Sequence, residues 1–220
     1  MMTTKTSNVR QIRSDLWETR TDNPFPGLTT HAYLWVRPEG NVLFYSPATE
    51  ADFEAIAELG GVAHQYLSHQ DEAGPMLAVV KQRFGSKLHA SAREEGEIST
   101  HTDIDVPTTQ RQVDENGVEV IPTPGHSVGS TSYLVTGADG EKYLFTGDTM
   151  FPTEAGLWST FLVPGRGSAD ELSASLDLLA DTVPNVVISS AYGGDTAVYE
   201  LTPGRWGELI AQARQSLQRD

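Results

Sequence analysis

Two short motifs, each following an apolar run near the middle of the chain, limit the folds that this sequence can adopt. Apolar runs at 118–121, 131–136 and 142–145 predict three strands. The first is followed by Pro122-Thr123-Pro124-Gly125-His126-Ser127 and the last by Thr146-Gly147-Asp148-Thr149. A histidine and an aspartate thus each lie just beyond a predicted strand end. Rigid strands that direct loop side chains to one point are a usual framework for a metal site.

The rest of the chain alternates predicted strands and helices. The predicted helices follow Thr49, cover 76–84, follow Ser168 and begin at Thr202 with Pro203 in the first position. Composition predicts a turn over 22–27, and the run 150–167 shows no period. Each half holds strands and helices in a similar order, and no composition break marks a linker. We therefore expect one α/β domain over residues 1–220, with residues 1–12 as a flexible tail.

Charge and cysteine content exclude several classes of function. The net charge is -15, which disfavours nucleic acid and anionic membrane as partners because both need a basic face. There are no cysteines, so disulfides, thiolate metal sites and cysteine nucleophiles are excluded. Residues 1–17 lack an apolar signal-peptide core and no run has the length of a membrane span, so we expect a cytoplasmic protein that acts on a small molecule. The sequence leaves homo-oligomerisation open.

Four loops that follow predicted strands carry the candidate chemistry. They cover 68–74, 122–127, 146–149 and 189–194. Three of them contain groups that can bind a metal, and these groups are His69 with Asp71, His126, and Asp148. Imidazole nitrogen and carboxylate oxygen suit zinc, iron or manganese. If the strand ends converge, these loops form one crevice.

These loops resemble the metallo-β-lactamase superfamily. Pro124-Gly125-His126-Ser127 and Thr146-Gly147-Asp148-Thr149 are similar to its third and fourth motifs. Ser68-His69-Gln70-Asp71 lies where the family has T-H-x-H-x-D-H, after a strand and before a helix. The resemblance covers about residues 28–195. It implies a four-layer αβ/βα sandwich of two mixed β-sheets flanked by helices.

The departures from the family pattern fall mainly on one of its two metal positions. His69 keeps the first ligand, while Asp71 stands at the place of the second histidine. Ala73 and Gly74 replace the following Asp and His, and Tyr192 replaces the final His. The resemblance therefore implies that the second metal has lost all the ligands of its own.

The first metal position is largely kept. The resemblance implies that His69, His126 and Asp148 hold one divalent metal, with Asp71 as a fourth ligand. Zinc is the expected ion rather than iron, and the absence of any metal remains an alternative. Catalytic roles fall to Asp71 and Asp148, which can orient a water or accept its proton, and to Tyr192, whose hydroxyl can donate to a substrate oxyanion.

Each of these residues also has a purely structural interpretation. His126 can be a turn residue, and Asp148 between Gly and Thr can stabilise a turn. Asp71 can cap the following helix, and Tyr192 can fill the space of the missing His. The histidines outside the motifs are His31, His64, His89 and His101, and we interpret most of these four as packing or surface residues. In the long loop, pocket-lining candidates are Trp158, Phe161 and Arg166, of which Arg166 suits a carboxylate.

Three functions are compatible with these residues. The first is a hydrolase that uses one metal-activated water on a small ester, thioester, lactone or amide. The second is a mononuclear non-haem iron oxidoreductase similar to the sulfur dioxygenases of the family, because two histidines and a carboxylate form the usual iron triad. The third is a metal-free pseudoenzyme that acts as a binding protein.

Overall fold

The computed structural model describes residues 9–25 and 28–218. In these residues it shows a mixed α/β fold. The strands are β1 (Arg10–Gln11), β2 (Leu16–Glu18), β3 (Asp22–Phe25), β4 (Leu28–Thr30), β5 (Tyr33–Trp35), β6 (Val42–Phe44), β7 (His64–Tyr66), β8 (Lys87–Ser91), β9 (Val106–Thr108), β10 (Gln112–Val113), β11 (Glu119–Pro122), β12 (Thr131–Thr136), β13 (Lys142–Gly147), β14 (Phe151–Pro152), β15 (Trp158–Ser159), β16 (Val186–Ser189), β17 (Ala191–Tyr192) and β18 (Val198–Glu200). The α-helices are α1 (Phe53–Glu58), α2 (Pro75–Phe84), α3 (Glu95–Ile98), α4 (Ala169–Ala180) and α5 (Arg205–Leu217).

Two large sheets form the centre of the fold. Within the described residues, the first sheet has the order β1-β2-β5-β6-β7-β8-β9 and the second the order β10-β11-β12-β13-β16-β18. Both are mixed, since β6 to β9 pair in parallel in the first and β13 pairs in parallel with β16 in the second. Smaller sheets join β14 to β15 and β17 to β4 and β3.

The two large sheets pack face to face, with helices on their outer sides. Aromatic side chains of both sheets meet between them, and the rings of Phe44 and Phe145 stack at 3.9 Å between centroids. Helices α4 and α5 cover the second sheet through Leu176 and Leu209. Helices α1 and α2 cover the first through Ile56 and Val80. The predicted four-layer αβ/βα sandwich is thereby confirmed.

Strand direction places the candidate loops together. β11 and β13 are both antiparallel to β12, and β16 is parallel to β13, so these three strands run the same way. The loops after β11, β13 and β16 therefore all lie at the same end of the strands of the second sheet. The loop after β7 leaves the first sheet and meets them across the sandwich, because the Ser68 carbonyl accepts from the Thr131 amide at 2.8 Å.

Several predicted helix ends are confirmed by their caps. The Thr49 hydroxyl accepts from the Ala51 amide at the start of the turn that leads into α1. Gly85 ends α2 in the left-handed conformation with φ of 70°. The Ser168 hydroxyl accepts from the Glu171 amide and caps α4.

Other expectations about local structure are wrong. Residues 22–25 form strand β3, whose pairing with β4 overrides their turn-like composition; Pro26 and Gly27 lie outside the described residues. Arg10 and Gln11 pair with β2, so the expected tail does not extend to residue 12. Helix α5 begins at Arg205 after a left-handed Gly204, three residues beyond the predicted start at Thr202. The long loop contains the small hairpin of β14 and β15.

Candidate metal centre

His126 presents one ring nitrogen to the crevice and uses the other to fix its orientation. Nδ1 lies 2.8 Å from the carbonyl oxygen of Phe161, to which it can only donate. In the neutral ring Nε2 then carries a lone pair. This Nε2 is buried and has no hydrogen-bond partner within the described residues. A buried lone pair without a partner is costly unless a ligand completes it.

His69 is arranged in the same way. Its Nδ1 lies 2.8 Å from Ser68 Oγ, and that hydroxyl donates to Glu72 Oε1 at 2.7 Å. With Glu72 ionised, Ser68 Oγ accepts from Nδ1, and Nε2 again carries the lone pair. Burial lowers the pKa of His69 below its ordinary value and keeps the ring neutral. Neutral imidazole is the form that binds metals.

Asp148 turns one carboxylate oxygen toward both histidines. Its Oδ1 accepts from the Ser190 hydroxyl at 2.6 Å. Its Oδ2 lies 3.5 Å from Nε2 of His69 and 3.9 Å from Nε2 of His126. Ligands of a tetrahedral zinc ion, each about 2.0–2.2 Å from the metal, lie about 3.4 Å from one another. The observed separations and the unpartnered His126 nitrogen therefore fit a metal ion held by these three side chains.

Asp71 adds a fourth donor, a second carboxylate, at the rim. Donor atoms of His69, Asp71 and His126 all lie within 4.8 Å of one another, and no second group of this kind occurs among residues 9–25 and 28–218. Asp71 is exposed, and its Oδ1 lies 3.4 Å from a guanidinium nitrogen of Arg166. It does not cap helix α2, whose N-cap is Gly74. Arg166, a predicted pocket residue, does not line the crevice and contacts the carboxylate of Asp71 instead.

Tyr192 lies apart from these donors. Its hydroxyl is 2.8 Å from Nε2 of His31, whose Nδ1 lies 2.8 Å from the carbonyl oxygen of Thr19. Because Nδ1 must donate to that carbonyl, Nε2 of a neutral His31 accepts a hydrogen bond from the Tyr192 hydroxyl. Tyr192 is 4% exposed and does not line the crevice, whereas His31 does. Any effect of Tyr192 on a substrate would pass through His31.

A buried carboxylate joins the loops that carry the two histidines. Glu94 is 2% exposed and accepts from the Gln70 amide at 2.8 Å on the His69 loop. Its other oxygen accepts from the Ser127 hydroxyl at 2.5 Å and from the Gly129 amide at 3.0 Å on the His126 loop. These hydrogen bonds fix the separation of the two imidazoles.

The glycines of the two central motifs have packing reasons that do not depend on a metal. Gly125 has φ of 136°, and a Cβ there would lie 2.3 Å from the Leu172 amide nitrogen. Gly147 has φ of 55°, and a Cβ there would lie 2.5 Å from Ser68 Oγ. Both positions therefore require glycine. The motif glycines alone do not distinguish a working site from a pseudoenzyme, but the orientation of the imidazoles bears on that question.

No local sequence pattern marks the residues that support the metal donors. Glu72 is enclosed beside Ser68, and burial raises its pKa to about 8. Ser190 and His31 likewise acquire their roles only from contacts across the fold. Trp158 was a pocket-lining candidate, but it is buried against helix α5 in the core of the second sheet instead.

A cavity of about 680 Å³ opens in front of the donors. His69, Asp71, His126 and Asp148 line one part of it. Phe161, a predicted pocket residue, lines another part and is 49% exposed.

None of the helices among residues 9–25 and 28–218 has the length and apolar character of a membrane span.

Curated relatives resemble part of the chain. A hydroxyacylglutathione hydrolase of Dechloromonas aromatica (strain RCB) is 29% identical over 178 residues, which cover 76% of this chain and 56% of the relative. The similar hydrolase of Acidiphilium cryptum (strain JF-5) is 26% identical over 71% of this chain and 62% of its own length. The chain thus spans little more than half the length of these relatives.

Solved structures share the fold over most of the chain. A metallo-β-lactamase of Cronobacter sakazakii, described by a HARLDQ motif, has a TM-score of 0.72 at 16% identity and covers 96% of this chain and 93% of its own. ETHE1 from Myxococcus xanthus has a TM-score of 0.67 at 19% identity and covers 90% of this chain and 84% of its own. At these identities the likeness concerns the fold alone.

The family model covers the region that contains the candidate centre. The model of the metallo-beta-lactamase superfamily matches residues 51–190, from the turn before α1 to the serine that contacts Asp148. The match includes all three loops that carry His69, His126 and Asp148. Together with the four-layer sandwich, it shows that this chain belongs to the metallo-β-lactamase superfamily.

Proposed function

We propose that this chain is a hydrolase with one divalent metal, expected to be zinc, that cleaves a small thioester or ester. The observation that carries the proposal is the buried Nε2 of His126, which has no partner within the described residues and lies near Asp148 Oδ2. The tautomer of His126, fixed by the carbonyl of Phe161, favours ligation over an ordinary packing role. Hydrolysis of thioesters is also the activity for which the curated relatives are named.

The residues of the site divide the chemical tasks. His69, His126 and Asp148 would hold the ion, which lowers the pKa of a bound water and polarises an acyl carbonyl. Asp71 would complete the coordination or orient the water and accept its proton, since it is exposed at the rim beside Arg166. Ser190 and Ser68 keep Asp148 and His69 in place through hydrogen bonds of 2.6 and 2.8 Å.

An iron oxidoreductase is the second candidate. Its support is the donor set of His69, His126 and Asp148, which has the two-histidine, one-carboxylate composition used by non-haem iron. The exposed carboxylate of Asp71 beside the histidines favours the hydrolase, because it can accept a proton from a metal-bound water.

Reconstitution tests the two candidates against each other. The protein is stripped with a chelator, reloaded with Zn²⁺ or anaerobically with Fe²⁺, and assayed for thiol release from simple S-acyl thioesters. We expect thiol release with zinc, and its loss in His126→Ala but not in His101→Ala, a control at an exposed histidine. Oxygen consumption with a persulfide and iron alone would support the oxidoreductase. The metal-free binding protein is the remaining alternative if the stripped protein takes up neither metal.

A further inference from the structure

The walls of the cavity beyond the metal donors are mainly apolar. They come from separate segments of the chain, so no single turn or helix accounts for them. The apolar side chains that line the cavity include Leu28, Pro47, Met76, Phe151 and Phe161. The volume of about 680 Å³ lies within the range of about 300–1,000 Å³ typical of small-molecule sites. There is room for an acyl chain and a small leaving group.

Histidines apart, the described residues of the cavity that can carry a charge near neutral pH are all acidic. No lysine or arginine lines it among residues 9–25 and 28–218, while Asp22, Asp71, Glu72 and Asp148 do. A divalent ion would offset the charges of Asp71 and Asp148 and leave Asp22 uncompensated. Arg166, at the rim, is opposed by Asp71 at 3.4 Å. The chain as a whole carries -15, so its field also repels anions.

We infer that the substrate of this site is an uncharged thioester or ester with an apolar acyl chain, and that anionic leaving groups are selected against. The inference rests on the proposed hydrolase function and adds the substrate class. An acyl chain gains from the apolar wall, whereas a carboxylate on the leaving group would lose water and find no cationic partner. Glutathione carries net negative charge at neutral pH, so its thioesters fit this cavity poorly.

Matched thioesters test the inference on the zinc-loaded protein. S-hexanoyl-N-acetylcysteamine is neutral, S-hexanoyl-3-mercaptopropionate carries one carboxylate, and S-acetyl-N-acetylcysteamine lacks the chain. With rates normalised to hydroxide-catalysed hydrolysis, kcat/KM should favour the neutral hexanoyl ester over the anionic one by about tenfold. The value of kcat/KM for the neutral hexanoyl thioester should also exceed that for the acetyl thioester by about tenfold or more, since each fully buried methylene contributes about fourfold.

A charge reversal at the wall gives the matched variant. Asp22→Lys should raise kcat/KM for the anionic thioester several-fold relative to the neutral one, because it places a cation beside the cavity. Glu58→Lys changes the total charge equally at an exposed residue outside the cavity wall, and it should leave the ratio unchanged. An equal change in both variants would mean that total charge, rather than the cavity wall, sets the preference, and would overturn the inference.

A binding measurement separates failure of the inference from failure of the proposed function. The uncleavable thioethers S-hexyl-N-acetylcysteamine and S-hexyl-3-mercaptopropionate are titrated calorimetrically into the zinc-loaded protein. Tighter binding of the neutral thioether supports the assignment of the cavity even if no thioester is hydrolysed, an outcome that would refute only the hydrolase. Equal or tighter binding of the anion overturns the inference, whether or not thioesters are cleaved.

Discussion

Nδ1 of His126 lies 2.8 Å from the carbonyl oxygen of Phe161, so the backbone of the long loop fixes the tautomer of the imidazole. The loop also supplies Phe161 to the cavity wall. One segment therefore orients a metal-binding group and contacts the space for a substrate. Because the loop holds Nδ1, the ring of His126 presents the lone pair of Nε2 to the crevice, where a ligand can complete it.

The roles of Asp71 and Arg166 can be distinguished by how strongly substitution of each residue changes the affinity for zinc. Asp71→Ala should weaken zinc binding by about tenfold or more if its carboxylate completes the coordination. Arg166→Gln should change the affinity much less, because an exposed ion pair contributes only about 0–1 kcal/mol. Both dissociation constants are measured by competition with a zinc-chelating dye. An unchanged affinity in Asp71→Ala would exclude ligation, and a loss of kcat in the same variant would then assign Asp71 the role of proton acceptor.

Glu72 is expected to act on the metal through Ser68 and His69. In Glu72→Gln the side-chain amide can donate to Ser68, which disturbs the chain of hydrogen bonds that fixes the His69 tautomer. Zinc affinity should fall by about tenfold, as for other residues that orient a metal ligand. Glu58→Gln, at an exposed helix end, is the control. If both variants bind zinc like the parent protein, the hydrogen-bonded chain has no part in ligation.

Tyr192→Phe distinguishes support of His31 from direct catalysis. The change leaves Nε2 of the buried His31 without its partner at 2.8 Å, so the free energy of unfolding should fall by about 1–2 kcal/mol. We expect kcat to fall less than about tenfold, whereas removal of an oxyanion donor typically costs about 100- to 1,000-fold. Urea unfolding and steady-state kinetics give the two numbers. A large loss of kcat with unchanged stability would restore the catalytic role first assigned to Tyr192.

We expect the buried His89 to lower the free energy of unfolding in mild acid. It is 2% exposed, its Nε2 lies 2.9 Å from Nδ1 of His64, and burial lowers the pKa of His89 to about 4. The unfolded chain, with a pKa of about 6.5, therefore binds the proton first as pH falls. The free energy of unfolding therefore falls as the pH drops from about 6.5 to about 4. By pH 5 the loss from this residue should be about 2 kcal/mol.

Urea unfolding at pH 7.5 and pH 5 measures this loss. His89→Phe keeps a ring to stack on Tyr66, whose centroid lies 4.1 Å away, and removes the titrating group. The difference in unfolding free energy between the two pH values should shrink by about 2 kcal/mol in this variant. The exposed His101→Ala should leave the difference as it is in the parent protein. The same difference in His89→Phe would refute the prediction.

Local sequence signals predict the elements that follow from local rules. Gly85 and Ser168 mark helix ends by their own conformational and capping preferences, and apolar runs place the strands before His126 and Asp148. These preferences act over a few residues and are visible in one chain. The start of α5 was misplaced because Gly204, rather than Thr202, occupies its N-cap.

Contacts between distant segments account for what the sequence does not predict. Residues 22–25 look like a turn but form a strand through pairing with β4, which itself pairs with β17. Glu94 lies in a polar stretch of the sequence that carries none of the motifs, yet it is buried between the two histidine loops. His31 becomes a cavity residue only through Thr19 and the distant Tyr192. Each role depends on which segments the fold brings together.

The metal content of the protein purified without added metal tests the central claim most directly. Elemental analysis should find about one zinc per chain in the parent protein and in His101→Ala, and no bound metal in His126→Ala. This result follows from the lone pair of His126 Nε2, which has no other partner in the described residues. A parent protein that holds no metal even after dialysis against zinc, or a His126→Ala variant that retains it, would contradict the account.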